Sequence, residues 1–205
     1  MLDKELRKII DNYRKKADEA LLEDFRFVHN GGHDYYDMFD LNYWNRKNLI
    51  LELYNNYTDE DKPLIKWLLK EEQKGFEVGI PVETNDICAF MLYKLMDLDD
   101  VYDLYNAKFG TGTDNQFFVD IELVFGFERE ETKNYLRNKS KNKRLNKKIL
   151  EAIEYYESHI KNGAIYRNRA DYIQFYETKK ISSIKRNLVD IENEMNNKLN
   201  QIKEV

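Results

Sequence analysis

The sequence predicts an all-α protein, an irregular or solenoid-like array of packed antiparallel helices with a long C-terminal helical segment. Three observations predict it. Apolar residues recur at steps of three and four along most of the 205 residues. Two prolines and eight glycines are too few to separate the strands of a many-stranded sheet. Hydrophobic residues make up 42% of the chain, enough for a folded core although 35% of the residues are charged.

The N-terminal part of the chain is predicted to form three helices. The apolar spacing over residues 2–28 predicts one long first helix, which ends before a glycine pair. A second helix is predicted over 43–56. A third continues to about Lys74, and the spacing of Thr58 and Asp61 predicts a capping box ahead of it.

Shorter helices joined by short loops are predicted for the middle of the chain. Their positions are 84–98 (capped by Thr84 or Asn85), 99–108 (opened by Asp99 and Asp100), 117–125 (capped by Asp114 or Asn115) and 128–137 (after Gly126). Two longer helices are predicted over 142–160, ended by Gly163, and over 181–202. This rhythm is typical of stacked helix pairs, but no fixed repeat period is present, so an irregular bundle is the alternative.

The chain is predicted to be a single helical domain, 1–205, with two electrically opposite parts. Residues 1–131 contain 16 lysines and arginines against 29 acidic residues, whereas residues 132–205 contain 17 against 9. The acidic part is therefore expected to attract basic partners, and the basic part anionic ones.

The strongest basic block is KNYLRNKSKNKRLNKK at 133–148, which contains no acidic residue. Such a block can neutralise phosphates. The candidate anion or nucleic-acid contacts are Lys139, Lys141, Lys143, Arg144, Lys147 and Lys148. Tyr135 is the only aromatic residue in the block, whereas a single-strand binder interleaves several. A solvated stretch that pairs with the acidic part of the same chain is the alternative.

Aromatic residues are densest in DYYDMFDLNYW at 34–44. Amphipathic aromatic side chains suit protein interfaces, and the candidate interface residues are Tyr35, Tyr36, Tyr43 and Trp44. The same residues equally suit a core with wet edges. Both interpretations are open at this point.

No motif in the chain predicts catalysis, a metal or a cofactor. His29 and His33 are four residues apart, but two glycines interrupt any helix between them. The loop GTGTDN lacks the lysine that follows the glycines in a phosphate-binding loop. Cys88 is the single cysteine and lies in an apolar run, which predicts core packing.

The favoured hypothesis is a non-enzymatic helical scaffold for protein–protein interaction, with a basic protein as partner. A nucleic-acid-associated protein that uses 133–148 is the first alternative, and an enzyme with a site assembled from dispersed acids and tyrosines is the second. The segment 181–202 has a short heptad-like seam, which favours packing against the preceding helix of the same chain, with a homodimer through this segment as the alternative. The lack of long apolar stretches predicts a cytoplasmic protein without a membrane span.

Overall fold

The computed structural model describes residues 2–31, 40–75, 80–110 and 113–203, and the regular elements in these ranges are helical. The α-helices are α1 (Leu2–Lys16), α2 (Tyr43–Asn56), α3 (Lys62–Lys74), α4 (Glu83–Lys94), α5 (Val101–Phe109), α6 (Thr113–Phe118), α7 (Glu122–Phe125), α8 (Arg129–Asn138), α9 (Lys143–Ser158), α10 (Arg169–Phe175) and α11 (Ile181–Lys203). This confirms the all-α prediction and the long C-terminal helix. No helix within the described ranges is both long enough and apolar enough to cross a bilayer.

The chain divides into two compact units, Met1–Tyr166 and Arg167–Val205. The first unit contains α1 to α9. In the second, α10 continues through a π-helical segment, Tyr176–Lys180, into α11. Tyr172 and Tyr176 are fully buried there, and their ring centroids lie 6.2 Å apart. The single-domain, solenoid and homodimer interpretations stay predictions.

The predicted first helix over 2–28 is wrong in its length. The α-helix ends at Lys16, because Ala17 has a left-handed backbone with φ 47°. Asp18 then caps a short 3-10 helix, Glu19–Phe25, by accepting a hydrogen bond from the backbone N–H of Ala20. The apolar spacing continues through this break, so it cannot reveal the break.

Two predicted helix starts in the middle of the chain are also corrected. Thr84 and Asn85 are not caps: α4 begins at Glu83, and both side chains are fully buried in its first turn. The predicted helix over 117–125 is two short helices, α6 and α7, and Asp114 and Asn115 lie within α6 instead of ahead of it. Asn115 is buried and accepts a hydrogen bond from the Asn85 side chain at 3.1 Å.

The predicted capping box at Thr58 and Asp61 is confirmed, and the same design recurs at Asp97 and Asp100. Each box opens a short 3-10 turn that runs into an α-helix, α3 in the first case and α5 in the second. The N3 residue of each box, Asp61 or Asp100, is a buried aspartate that also binds a cationic side chain from an earlier helix. Asp61 receives two hydrogen bonds from Arg14, at 2.8 and 2.7 Å.

The largest fully buried side chain of the described residues is that of Arg46, on α2. Its guanidinium binds Glu72 at 2.5 Å and Asp40 at 2.6 Å, and it donates to the carbonyl of Phe25 at 3.3 Å. Both carboxylates are themselves buried. Glu72 also accepts a hydrogen bond from the Thr84 hydroxyl at 2.5 Å. This Arg46 cluster therefore joins the 3-10 helix, α2, α3 and α4.

The charges of the Arg46 cluster depend on one another. Burial raises the pKa of the Glu72 carboxyl above its ordinary value, although Arg46 and the Thr84 hydroxyl oppose the shift. The pKa of Arg46 is raised as well, because the two neighbouring carboxylates outweigh its desolvation. Removing one member would leave a buried charge without its partner, which is costly.

We expect Arg46→Met to lower the free energy of unfolding by about 3–5 kcal/mol, because Asp40 and Glu72 would lose their counter-charge. Urea denaturation measures the loss. Without Arg46, the pKa of Glu72 rises further above its unfolded value, so the folded variant holds a proton that the unfolded chain releases. Its deficit should therefore be smaller at pH 5 than at pH 8.

Arg26→Met is the matched control for this experiment. Arg26 pairs with Glu19 and Glu23, whose side chains are 56% and 62% exposed. Exposed ion pairs contribute little to stability. Equal losses in the two variants, or a deficit at Arg46 that does not change with pH, would contradict this account of the Arg46 cluster.

Candidate functional site

The candidate site lies on α8, the loop 139–142 and the first turns of α9. A compact apolar core beneath it holds these helices against α5 and α7; its members are Val101, Ile121, Val124, Phe125, Leu136, Ile149 and Ile153. Gly126 sets the direction of the chain into α8, as predicted, with φ 73°. A side chain there would approach the Thr132 hydroxyl to 2.5 Å, and that hydroxyl donates to the Phe125 carbonyl at 2.7 Å.

Asn146, on α9, fixes the conformation of the loop. Its side chain is almost fully buried, and its amide nitrogen lies 3.1 Å from each of three carbonyl oxygens, those of Leu136, Lys139 and Lys141. Its side-chain oxygen accepts a hydrogen bond from the Tyr102 hydroxyl at 2.7 Å. One buried carboxamide therefore binds the end of α8 and two carbonyl groups of the four-residue loop, so the loop side chains are presented from a fixed backbone.

The cations of 133–148 divide into two groups. Half of them form ion pairs within the first unit, two of these with acids of the region 1–131, so the predicted intramolecular pairing accounts for part of the block. The pairs are Lys133 with Glu130 and Glu157, Arg137 with Glu154, Lys139 with Asp99, and Lys147 with Glu151. Two of the six predicted anion contacts, Lys139 and Lys147, therefore already have an acidic neighbour.

The other four predicted anion contacts form a basic quartet: Lys141, Lys143, Arg144 and Lys148. All four are exposed, and within the described part of the chain none forms an ion pair. Lys143 and Arg144 occupy the first turn of α9, which contains no acidic residue. The helix dipole makes that end positive, so cations there are unfavourable for folding. The quartet is therefore a group of positive charges that form no ion pair within the described part of the chain.

A groove of about 660 Å³ runs beside α8, next to the quartet. Its lining residues are Leu98, Glu131, Asn134, Tyr135, Asn138 and Lys139. Four of these lie at positions i, i+3, i+4 and i+7 of α8 and therefore share one face of the helix. Glu131, Asn134 and Asn138 are exposed. The groove therefore combines an aromatic and an aliphatic side chain with free carboxamides and opposite charges at its ends.

A hydrogen-bonded group of Asp99, Tyr135 and Lys139 stands at the Lys139 end of this groove. The Tyr135 hydroxyl donates to Asp99, and the Lys139 ammonium lies 2.9 Å from Asp99 and 2.6 Å from the Tyr135 oxygen. Hydrogen bonds from Lys139 and Tyr135 lower the pKa of Asp99, and those to Asp99 and Tyr135 raise the pKa of Lys139. Desolvation, with the Asp99 hydrogen bond, raises the pKa of Tyr135. At neutral pH the lysine and tyrosine thus keep their protons, which suits binding better than base catalysis.

Of the four predicted aromatic interface residues, Tyr43 and Trp44 lie among the described residues. Tyr43 is fully buried beside the Arg46 cluster, so it contributes to the core and a partner cannot reach it. Trp44 is partly buried, with its ring 4.8 Å from the Lys47 ammonium. Tyr35 and Tyr36 lie outside the described residues, as does His33 of the rejected metal motif. In the described ranges, no three His, Cys, Asp or Glu side chains come together as metal ligands.

Sequence reasoning missed Asn134, Asn138 and Asn146. The first two share the helical spacing of Glu131 and Tyr135, which identifies a common face once α8 is known. Asn146 interrupts the cations of 133–148 at a position that a helix wheel places with Ile149 and Ile153, both buried. A polar residue on an apolar helix face indicates a buried hydrogen-bonding role, and this pattern identifies Asn146 from the sequence.

The chain was compared with protein-family models, with curated proteins and with solved structures, and no match was found.

We expect Asn146→Ala to lower the free energy of unfolding by about 2–3 kcal/mol, because three carbonyl groups and the Tyr102 hydroxyl would lose their partner. Tyr102→Phe removes only one of these hydrogen bonds and should cost about 1 kcal/mol. Urea denaturation measures both. Amide exchange in the loop 139–142 should accelerate in Asn146→Ala, and unchanged exchange there would contradict the proposed fixing of the loop.

Lys143 and Arg144 lie at the positive end of the α9 dipole, where acidic residues are favourable. We therefore expect the double variant Lys143→Glu and Arg144→Glu to be more stable than the natural protein, by a few tenths to about 1 kcal/mol at low ionic strength. The same reversals at Lys15 and Lys16, in the last turn of α1, should lower stability, because cations are favourable there. Chemical denaturation at low and high salt compares the two. Destabilisation by the α9 reversals would show that the quartet has a folding role.

Proposed function

We propose that the protein is a non-enzymatic helical scaffold that binds another protein through α8, the loop 139–142 and the start of α9. The observation that carries this proposal is the basic quartet, because Lys143 and Arg144 lie at the unfavourable end of a helix and no acidic side chain of the described residues balances any of its four cations. Positions where a local rule is broken without a compensating gain are characteristic of functional sites.

The quartet favours a partner with an acidic surface. Charge complementarity of this kind speeds association and selects among partners more than it adds affinity. The basic partner expected from the composition would instead meet acids of residues 1–131. Among the exposed acids without an ion pair there, Asp59 and Glu60 are adjacent, whereas Glu5, Asp24 and Asp114 belong to three other elements. The quartet is the more concentrated feature, and a basic partner and a cytoplasmic location remain predictions from the sequence.

Nucleic acid is the second candidate partner, and the four unpaired cations favour it as well. Two features support it less. Tyr135, the one aromatic residue of 133–148, has its hydroxyl bound to Asp99 and its ring under Lys139, whose ammonium lies 4.8 Å from the ring centroid. Four of the eight cations are already held in ion pairs, so fewer are available for phosphates than the sequence implies.

The test is affinity capture by the tagged protein from an extract of its source cells, with and without nuclease, at low and moderate salt. We expect a stoichiometric protein partner that resists nuclease. Replacing Lys141, Lys143, Arg144 and Lys148 by glutamine should lower the captured amount at least tenfold, because it removes the charge that faces the partner.

The control variant changes Lys4, Lys8, Lys15 and Lys16 of α1 to glutamine. These lysines are also exposed and without ion pairs within the described residues. Each variant replaces four cations by glutamine, so the net charge changes equally in both. Capture should be unaffected by the control. Equal losses in both variants would show that capture depends only on net charge, which contradicts the proposal. Captured material that nuclease destroys and that salt releases would show that the partner is nucleic acid and not a protein.

A further inference from the structure

The groove beside α8 offers a more specific form of recognition, which rests on the proposed function because it assumes that the partner is a protein. Asn134 and Asn138 are exposed, and within the described ranges no hydrogen bond occupies either carboxamide. A carboxamide both donates and accepts, as a peptide backbone does. Two such groups in a row on one helix face can therefore bind a main chain without regard to its side chains.

The spacing of the two carboxamides selects an extended chain. They are one helical turn apart, about 6 Å along the axis of α8. Backbone groups that point to the same side of an extended chain repeat every two residues, about 6.6–6.8 Å. A helix laid in the groove would satisfy its own backbone groups and leave the carboxamides unused. The spacing therefore matches an extended segment that runs parallel to α8.

Charge complementarity adds a side-chain requirement. The backbone positions of Glu131 and Lys139, at the two ends of the lining segment of α8, are about 12 Å apart along the helix axis. Four residues of an extended chain cover about 13 Å, and residues four apart point to the same side. Asp99 and the Tyr135 oxygen accept two of the three Lys139 ammonium donors, so a carboxylate from a ligand can accept the third.

The middle of the groove is apolar. Leu98 and the partly buried Tyr135 are its apolar lining residues, and Tyr135 lies between the two carboxamides in sequence. The residue halfway between the two charges of an extended ligand points to this same side, since side chains alternate with a period of two. An aliphatic side chain at that position would be buried against Leu98 and Tyr135.

We infer that the groove binds an extended peptide segment of a partner protein, with a basic and an acidic residue four positions apart and an aliphatic residue midway between them. Glu131 and Lys139 bind the two charged side chains, and Asn134 and Asn138 bind the main chain. The quartet beyond Lys139 meets whatever acidic surface follows the acidic end of the segment.

The test uses a fluorescein-labelled peptide in which lysine, leucine and glutamate occupy alternate positions between threonines, with binding followed by anisotropy. We expect saturable binding to the natural protein. Asn134→Ala combined with Asn138→Ala should weaken it about tenfold, since the variant loses both hydrogen bonds to the main chain of the peptide. Asn193→Ala, an exposed asparagine of α11, is the matched control and should have no effect.

Two further comparisons separate specific recognition from a damaged surface. A peptide of the same composition with its charges three positions apart, and therefore on opposite sides, should bind at least fivefold more weakly. Glu131→Lys should lose the original peptide and gain a peptide with glutamate at both charged positions. This gain requires a folded groove, so it distinguishes a change of specificity from unfolding.

The inference is overturned if the natural protein shows no saturable binding, if the two peptides bind equally, or if a single-stranded oligonucleotide competes through Asn134 and Asn138. In each case, partner capture that still depends on the basic quartet would leave the proposed scaffold function standing. Loss of quartet-dependent capture together with normal peptide binding would overturn the proposed function and leave the groove assignment intact.

Discussion

The buried guanidinium of Arg46 is the constraint on which the N-terminal helices depend. A charge this deep is tolerated only when it is paired and hydrogen-bonded, and its three partners come from three different segments of the chain. The end of the 3-10 helix Glu19–Phe25 supplies a carbonyl, the segment before α2 supplies Asp40, and α3 supplies Glu72, which in turn binds α4 through Thr84. These elements can therefore pack in few other ways without leaving a buried charge unpaired.

Buried polar side chains serve the same purpose elsewhere in the first unit. Asp61 and Asp100 close their own helix starts and accept cations from earlier helices, and Asn146 closes the loop between α8 and α9. Asp99 and Asp100 are adjacent and bind in opposite directions: Asp100 binds Lys62 and Lys66 of α3, whereas Asp99 binds Lys139 beyond α8. The candidate site is thus connected to the acidic part of the fold by consecutive residues.

Local rules recovered much of the fold. Periodicity and capping predicted α2 and α3 closely, and glycines with positive φ ended or began helices at Gly126 and Gly163. The break at Ala17 was missed because nothing in an alanine indicates a left-handed backbone. Thr84 and Asn85 were misread as caps because cap residues and buried polar residues have the same composition.

The site was predictable only in outline. The basic block and its exposed members followed from composition and spacing, but the pairing of Lys139 with Asp99 joins residues far apart in sequence, which no local pattern reveals. Tyr43 could not be placed from the sequence either, because an aromatic cluster has the same composition whether it contacts a partner or packs in the core. The groove amides became interpretable only when α8 placed them on one face beside Leu98.

The central claim is that one continuous face, formed by α8, the loop 139–142 and the start of α9, receives a protein partner. Amide hydrogen exchange of the protein, alone and in its captured complex, tests this claim most directly. We expect slower exchange in the complex over 134–148, with α1 and α2 unchanged. Unchanged exchange over 134–148, with protection elsewhere on the first unit, would contradict it.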